Sequence, residues 1–268
     1  MFWQRAIVTT VATPFALLLI YYGGLPYFLL ISGILLLAVT EYVNIMGELG
    51  WKLSQPLLLI TTAAQLIAAQ WDMTGHWRDG VLMLSLVLIM LNALWSYEKN
   101  KSETVFQDWL AMFGGLMLLG WFGGHFLRLR HLDDHGYWLM LALLSTWSAD
   151  SGAYVVGRKI GKNKMTPRLS PNKSYEGLIA GIIASLIIVL VASQLLLPEA
   201  GLGPALGLVV SGAILSPAGD LAISLIKRVS KVKDSGQFLP GHGGALDRLD
   251  SVLWSVTLAY YFVLLLQN

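Results

Sequence analysis

Hydrophobic residues in this chain come in long runs. A helix that crosses a bilayer core needs about 20 apolar residues. Nine runs approach that length, at 6–22, 26–41, 55–70, 80–97, 109–127, 137–156, 176–197, 203–226 and 249–267. The second and third are the shortest. Polar or Gly/Pro-rich links separate the runs, beginning with the tight turn Gly23-Gly24-Leu25-Pro26. No link reads as a soluble domain. The pattern predicts an all-α fold, a polytopic transmembrane protein of about nine spans.

Composition sharpens that expectation. The apolar set makes up 56% of the 268 residues and charged residues only 13%, against roughly 25% in an ordinary soluble domain. Mean hydropathy is +0.64. These values exclude a water-soluble globule, a disordered chain, a collagen and a coiled coil. The net charge of +2 is too small to argue for nucleic acid as a partner, and no basic stripe suited to it occurs. Cysteine is absent, so disulfides, thiolate catalysis and Cys-ligated zinc are excluded. Arg5 precedes the first run, but no A-x-A-like cleavage site follows. The segment therefore reads as a retained span and not a leader.

Lys and Arg orient such a chain, because they accumulate in cytoplasmic loops. With nine spans, only Arg78, Arg128 and Arg130 among the 18 Lys and Arg fall on one side. All the others fall on the side of the N-terminus. This asymmetry predicts a cytoplasmic N-terminus and an exterior C-terminus in a cell (inner) membrane.

Most of these inside cations lie in two links, GRKIGKNKMTPRLSPNKSY from Gly157 to Tyr175 and KRVSKVKDSGQFLPGHGGALDR from Lys227 to Arg248. Cations alone would serve as anchors to an anionic leaflet. Here they are interleaved with Gly, Pro, Ser, Asn and His. Small residues let backbone N–H groups approach a phosphate, and Lys and Arg supply the counter-charge. An anionic, phosphate-bearing substrate taken from the cytoplasm is the better expectation. Residues 1–130 then form an N-terminal set of membrane helices, and 131–268 a C-terminal catalytic region with two basic cytoplasmic loops.

Carboxylates inside a bilayer are costly, about 2.5–3.5 kcal/mol for Asp at a helix centre. Most acids lie in links, but Asp150 and Asp220 fall inside runs and Asp250 opens the last one. All three fall toward the cytoplasmic end of their spans. Ser216, Asp220, Ser224 and Lys227 recur at helical spacing and form one polar stripe. Asp247 and Asp250 are three apart and share a face. Pro217 should distort the helix near Asp220. Convergent carboxylates beside phosphate-binding loops suit Mg²⁺, which takes oxygen ligands from one or two carboxylates plus substrate phosphates. Structural ion pairs, such as Asp250 with Arg248 or Asp220 with Lys227, are the plainer alternative for any one of them.

The stretch SLIKRVSKVKDSGQFLPGHGGALDRLD, Ser224 to Asp250, closely resembles the signature of the phosphatidate cytidylyltransferase family. Asp150-Ser151-Gly152-Ala153-Tyr154 and Ser170-Pro171-Asn172-Lys173-Ser174-Tyr175-Glu176-Gly177 resemble two further elements of it. Ala245 departs from the pattern, which has a larger aliphatic residue there. The resemblance covers about the C-terminal half.

It implies that CTP and phosphatidic acid are the substrates, with CDP-diacylglycerol and pyrophosphate as products and the lipid bilayer as surroundings. It also implies Mg²⁺ held by Asp220 and Asp247, to which the residue reading adds Asp250. Lys227, Arg228 and Arg248 are expected to contact phosphate, with His242 orienting a phosphate or donating a proton. Lys173, Asn172, Lys233, Ser216, Ser224, Gly243, Gly244 and Asp150 complete the expected substrate-binding set. A second, monovalent cation and a homodimer are left open.

Two rival readings are a CTP-dependent lipid or polyprenol kinase, which would transfer the γ-phosphate, and a transporter with acidic coupling sites. The G-x-x-x-G spacings at Gly177–Gly181 and Gly203–Gly207 predict close helix contacts.

Overall fold

The structure, a computed structural model, describes residues 2–72, 74–236 and 243–267, with side chains from residue 12 onward. Helices α1 (Phe2–Tyr22), α2 (Gly24–Gly47), α3 (Gln55–Trp71), α4 (His76–Glu98) and α5 (Val105–Gly115) come first. A π-helical stretch, Leu116–Phe122, leads into the short α6 (His125–Arg130). Helix α7 (Tyr137–Ile160) is followed by an antiparallel hairpin of β1 (Lys164–Thr166) and β2 (Ser170–Ser174). Then come α8 (Tyr175–Leu196), a 3-10 turn, α9 (Leu202–Val209), a second π stretch at Val210–Leu215, α10 (Ser216–Val229) and α11 (Ala245–Leu266).

Seven helical stretches among the described residues are long and apolar enough to cross a membrane. They are Gly24–Gly47, His76–Glu98, Val105–Arg130, Tyr137–Ile160, Tyr175–Leu196, Leu202–Val229 and Ala245–Leu266. The protein is thus an all-α, polytopic membrane protein. The two other expected spans are helices as well. Helix α3 has 17 residues, about 25 Å at 1.5 Å per residue. In α1, the apolar part with described side chains is Ala12–Tyr22.

The chain divides into two compact units. The first is drawn from Met1–Phe15, Gly24–Arg128 and Ile226–Arg248. The second comprises Ala16–Gly23, Leu129–Leu225 and Leu249–Asn268.

In the first unit, Leu35 and Val39 of α2, Leu58 and Leu66 of α3, and Leu116 and Leu119 of the π stretch are fully enclosed. Tyr42 donates its hydroxyl to the Ala111 carbonyl at 2.9 Å, and its ring fills the space that a side chain at Gly115 would need. Arg78 is buried. Its guanidinium lies 3.9 Å from the centre of the Trp121 ring and donates to the Trp121 carbonyl.

The second unit is built on small residues. A Cβ at Gly181 would lie 2.6 Å from the Ala149 carbonyl, and one at Gly177 would lie 2.9 Å from that of Ala153. Helices α7 and α8 therefore approach backbone to backbone, as the first G-x-x-x-G spacing predicts. Gly207 of the second lies against Phe262 of α11. Hydroxyl pairs cross between helices, Ser145 with Ser185 and Thr146 with Ser255, both at 2.8 Å. Asp133 caps α7 by accepting the Tyr137 and Trp138 amides at 2.9 and 3.1 Å.

The expected distortion near Pro217 takes the form of the π stretch just before it. Pro217 is the second residue of α10 and has no N–H to give. Ser211 and Ser216 donate instead to the Leu208 and Gly212 carbonyls, at 2.9 and 2.7 Å.

Candidate functional site

The second unit holds one cluster of candidate residues, which begins with the hairpin. The link read from sequence as a loop pairs Lys164 with Ser174 and Thr166 with Ser170. Glu176, in the first turn of α8, accepts the Asn163 backbone amide at 3.1 Å and its side-chain amide at 2.8 Å. Tyr175 N–H donates to the Asn163 carbonyl at 3.0 Å. Ser174 caps α8 by accepting the Gly177 amide at 3.2 Å. These bonds tie the base of the hairpin to α8, one residue beyond Lys173.

The Lys173 ammonium pairs with Asp220 Oδ2 at 2.6 Å and lies 3.4 Å from the Pro217 carbonyl. Ser224 donates its hydroxyl to Asp220 Oδ1 at 3.2 Å. Asp150, on α7, is within electrostatic reach of both Asp220 and Lys173. Two carboxylates thus share one lysine. Ser216 is buried and back-bonded to its own helix. Asn172 is exposed. Asp250 accepts the Ser251 amide at 2.6 Å.

The first unit holds a separate cluster, centred on Asp247 in the first turn of α11. Asp247 Oδ1 pairs with Lys227 at 2.6 Å. Its Oδ2 accepts the Ser235 amide at 2.8 Å and the Gly244 amide at 3.1 Å. The Ser235 hydroxyl also lies 2.9 Å from Oδ2. Gly243 has φ +79°, left-handed backbone that glycine adopts without strain. The Gly244 N–H, expected from sequence near a phosphate, is directed at Asp247. Arg228, Lys233 and Arg248 are exposed. His242 lies outside the described residues.

One further residue enters that sequence reasoning missed. Glu41, on α2, accepts the Ala245 and Leu246 amides and the Ser235 hydroxyl, each at 2.9 Å. Its signal was available: Glu41 is the one acid in the α2 sequence GLPYFLLISGILLLAVTEYVNIMG. Among the described residues, no three His, Cys, Asp or Glu side chains are grouped closely enough to hold a metal ion by themselves.

The Cytidylyltransferase family model matches residues 3–266. The chain belongs to the cytidylyltransferase family. The phosphatidate cytidylyltransferase of Haemophilus influenzae is 35% identical over 249 residues, covering 82% of this chain and 86% of the relative. That of Bacillus subtilis is 31% identical, covering 98% and 97%. That of Synechocystis is also 31% identical, with the same coverage. The cytidylyltransferase match extends through α1 to α6, beyond the C-terminal half that carries the motifs.

Proposed function

We propose that this cytidylyltransferase is an integral-membrane phosphatidate cytidylyltransferase, joining CTP to phosphatidic acid as CDP-diacylglycerol and releasing pyrophosphate. The observation that carries the reading is the match of nearly the whole chain to the cytidylyltransferase family and its phosphatidate cytidylyltransferases. Lys173 meets Asp220 and Lys227 meets Asp247, each at 2.6 Å. The relatives that match the chain from end to end bear that enzyme's name.

The lipid phosphate is already an anionic nucleophile and needs no strong base to attack the α-phosphorus of CTP. The difficulty is bringing two polyanions together and neutralising the leaving pyrophosphate. Lys173 and Lys227 exchange a carboxylate for a phosphate when substrates arrive. Arg228, Lys233 and Arg248 reach phosphates from the exposed surface, and Asn172 beside Lys173 adds a polar contact. His242 orients a phosphate or donates a proton. Asp247, held by two backbone amides, keeps its orientation when Lys227 moves.

The donors suit Mg²⁺. Asp150, Asp220 and Ser224 offer only oxygen, and the Asp220 side chain is 32% exposed, open enough to take a hydrated ion. Asp247 and Asp250 are the other oxygen donors expected from sequence. When bound, Mg²⁺ would neutralise phosphate charge and polarise the reacting phosphorus.

The site faces the cytoplasm of a nine-span protein in the cell (inner) membrane, with the C-terminus outside. A reporter fused after Asn268 should read as exterior, and a cytoplasmic signal would overturn this topology. The enzymatic test uses purified protein in detergent with labelled CTP, phosphatidic acid, and Mg²⁺ or EDTA. CDP-lipid and pyrophosphate should form with Mg²⁺ and not with EDTA. Transfer of the γ-phosphate to the lipid would overturn the reading in favour of a kinase.

A further inference from the structure

An acid on an otherwise apolar membrane helix is expensive to keep, so what Glu41 holds is informative. Its two carboxylate oxygens take the first two amides of α11, Ala245 N–H on Oε1 and Leu246 N–H on Oε2, both at 2.9 Å. Those amides have no partner within their own helix, and their dipoles favour an anion. Glu41 Oε2 also takes the Ser235 hydroxyl.

Two glycines make room for this carboxylate. A Cβ at Gly236 or at Gly244 would run into it. Gly236 and Gly244 of the basic link are therefore explained by the Glu41 side chain, with no need for a phosphate.

The contact with Asp247 runs through Ser235. Its hydroxyl oxygen is 2.9 Å from Glu41 Oε2 and 2.9 Å from Asp247 Oδ2, and it accepts the Asp247 amide at 3.2 Å. A serine has one hydroxyl proton, so it donates to one carboxylate at a time. The Ser235 hydroxyl can turn from Glu41 to Asp247 because Oε2 keeps the Leu246 amide. Glu41 thus fixes the turn that carries Asp247 and shares a proton donor with it.

We propose that Glu41 is a positioning residue for the Asp247 carboxylate, acting from an N-terminal helix through α11 and Ser235. The proposal rests on the reading of Asp247 as a working carboxylate of the cytidylyltransferase reaction.

The test is steady-state kinetics on the full chain in detergent, comparing wild type with Glu41→Gln, Glu41→Asp, Ser235→Ala and Asp247→Asn. Glutamine can accept from one amide but turns an NH₂ group toward the other. Misplacing a reacting group by about 1 Å costs up to about 100-fold in rate. Glu41→Gln should therefore lower kcat roughly 10- to 100-fold with little change in KM for CTP. Glu41→Asp, which keeps the charge, should restore part of that loss. Asp247→Asn tests the underlying reading separately. If it turns over normally, Asp247 is not a working group and the proposal falls with that reading. If it is inactive while Glu41→Gln keeps wild-type kcat, the proposal alone is overturned. Should Glu41→Gln fail to fold, Ser235→Ala decides: a lowered kcat at unchanged KM supports the proposal, and wild-type kcat overturns it.

Discussion

The two lysine–aspartate pairs have the same length and very different surroundings. Asp247 has a side chain only 10% exposed and is held by Lys227, two backbone amides and a shared hydroxyl. Asp220 is 32% exposed and is held by Lys173 and one long bond from Ser224. A carboxylate has about four acceptor sites. At Asp247 they are largely committed to the protein. At Asp220 there is room for an ion or a water. The comparison teaches that one aspartate is built into the scaffold, while the other keeps part of its carboxylate open to solvent.

Substitution should separate the two. The largest effects are expected from Asp220→Asn and Asp247→Asn, each lowering CDP-diacylglycerol formation by roughly 10³-fold or more. Only Asp247→Asn should also lower the melting temperature in detergent, because it disturbs charge-assisted bonds worth about 2 kcal/mol each. Equal melting temperatures for the two variants would break the comparison.

Next in size are the lysines. Lys227→Ala leaves a largely enclosed carboxylate without its counter-charge and should reduce both kcat and thermal stability. Lys173→Ala should raise KM for CTP or for the lipid by about tenfold, a change of about 1.4 kcal/mol, with stability unchanged. A stability loss in Lys173→Ala would show the pair to be structural. The smallest effect is expected for Ser224→Ala, whose single 3.2 Å bond is worth about 0.5–1 kcal/mol. A rate loss of more than tenfold there would mean that Ser224 touches substrate or ion directly.

Much of this was readable in advance. The third run, 55–70, is helix Gln55–Trp71, and the seventh, 176–197, is Tyr175–Leu196. Bilayer-length apolar runs have few other ways to satisfy their backbone. Lys173, Lys227 and Asp247 were named from motifs and Asp220 from its place inside an apolar run, and each is found in one of the two ion pairs. Their partners were harder to read. The alternative pairing of Asp220 with Lys227 assumed that neighbours along one helix would meet, whereas Lys173 reaches Asp220 from a hairpin 47 positions away.

That hairpin was itself read as a loop, because Lys164–Thr166 and Ser170–Ser174 lack the apolar alternation by which strands are recognised. Glu41 was lost to a boundary. Hydropathy falls at a charge, so the second run was closed at residue 41, while α2 continues to Gly47. An acid that seems to end a span can instead lie within its last turns, with backbone amides as its solvent.

The widened turn at Val210–Leu215 has a consequence for insertions and deletions. A π turn accommodates one residue more than a regular turn of the same helix. Removing a single residue there would let the turn relax to ordinary winding, with the following residues kept near their phase. Removing one from the regular turns of α10 before Asp220 would instead swing all that follows by about 100° around the helix axis. Asp220 would then point away from Lys173 with every motif residue still present. The angular phase of this helix, and not its residue content alone, keeps the carboxylate within reach of its lysine.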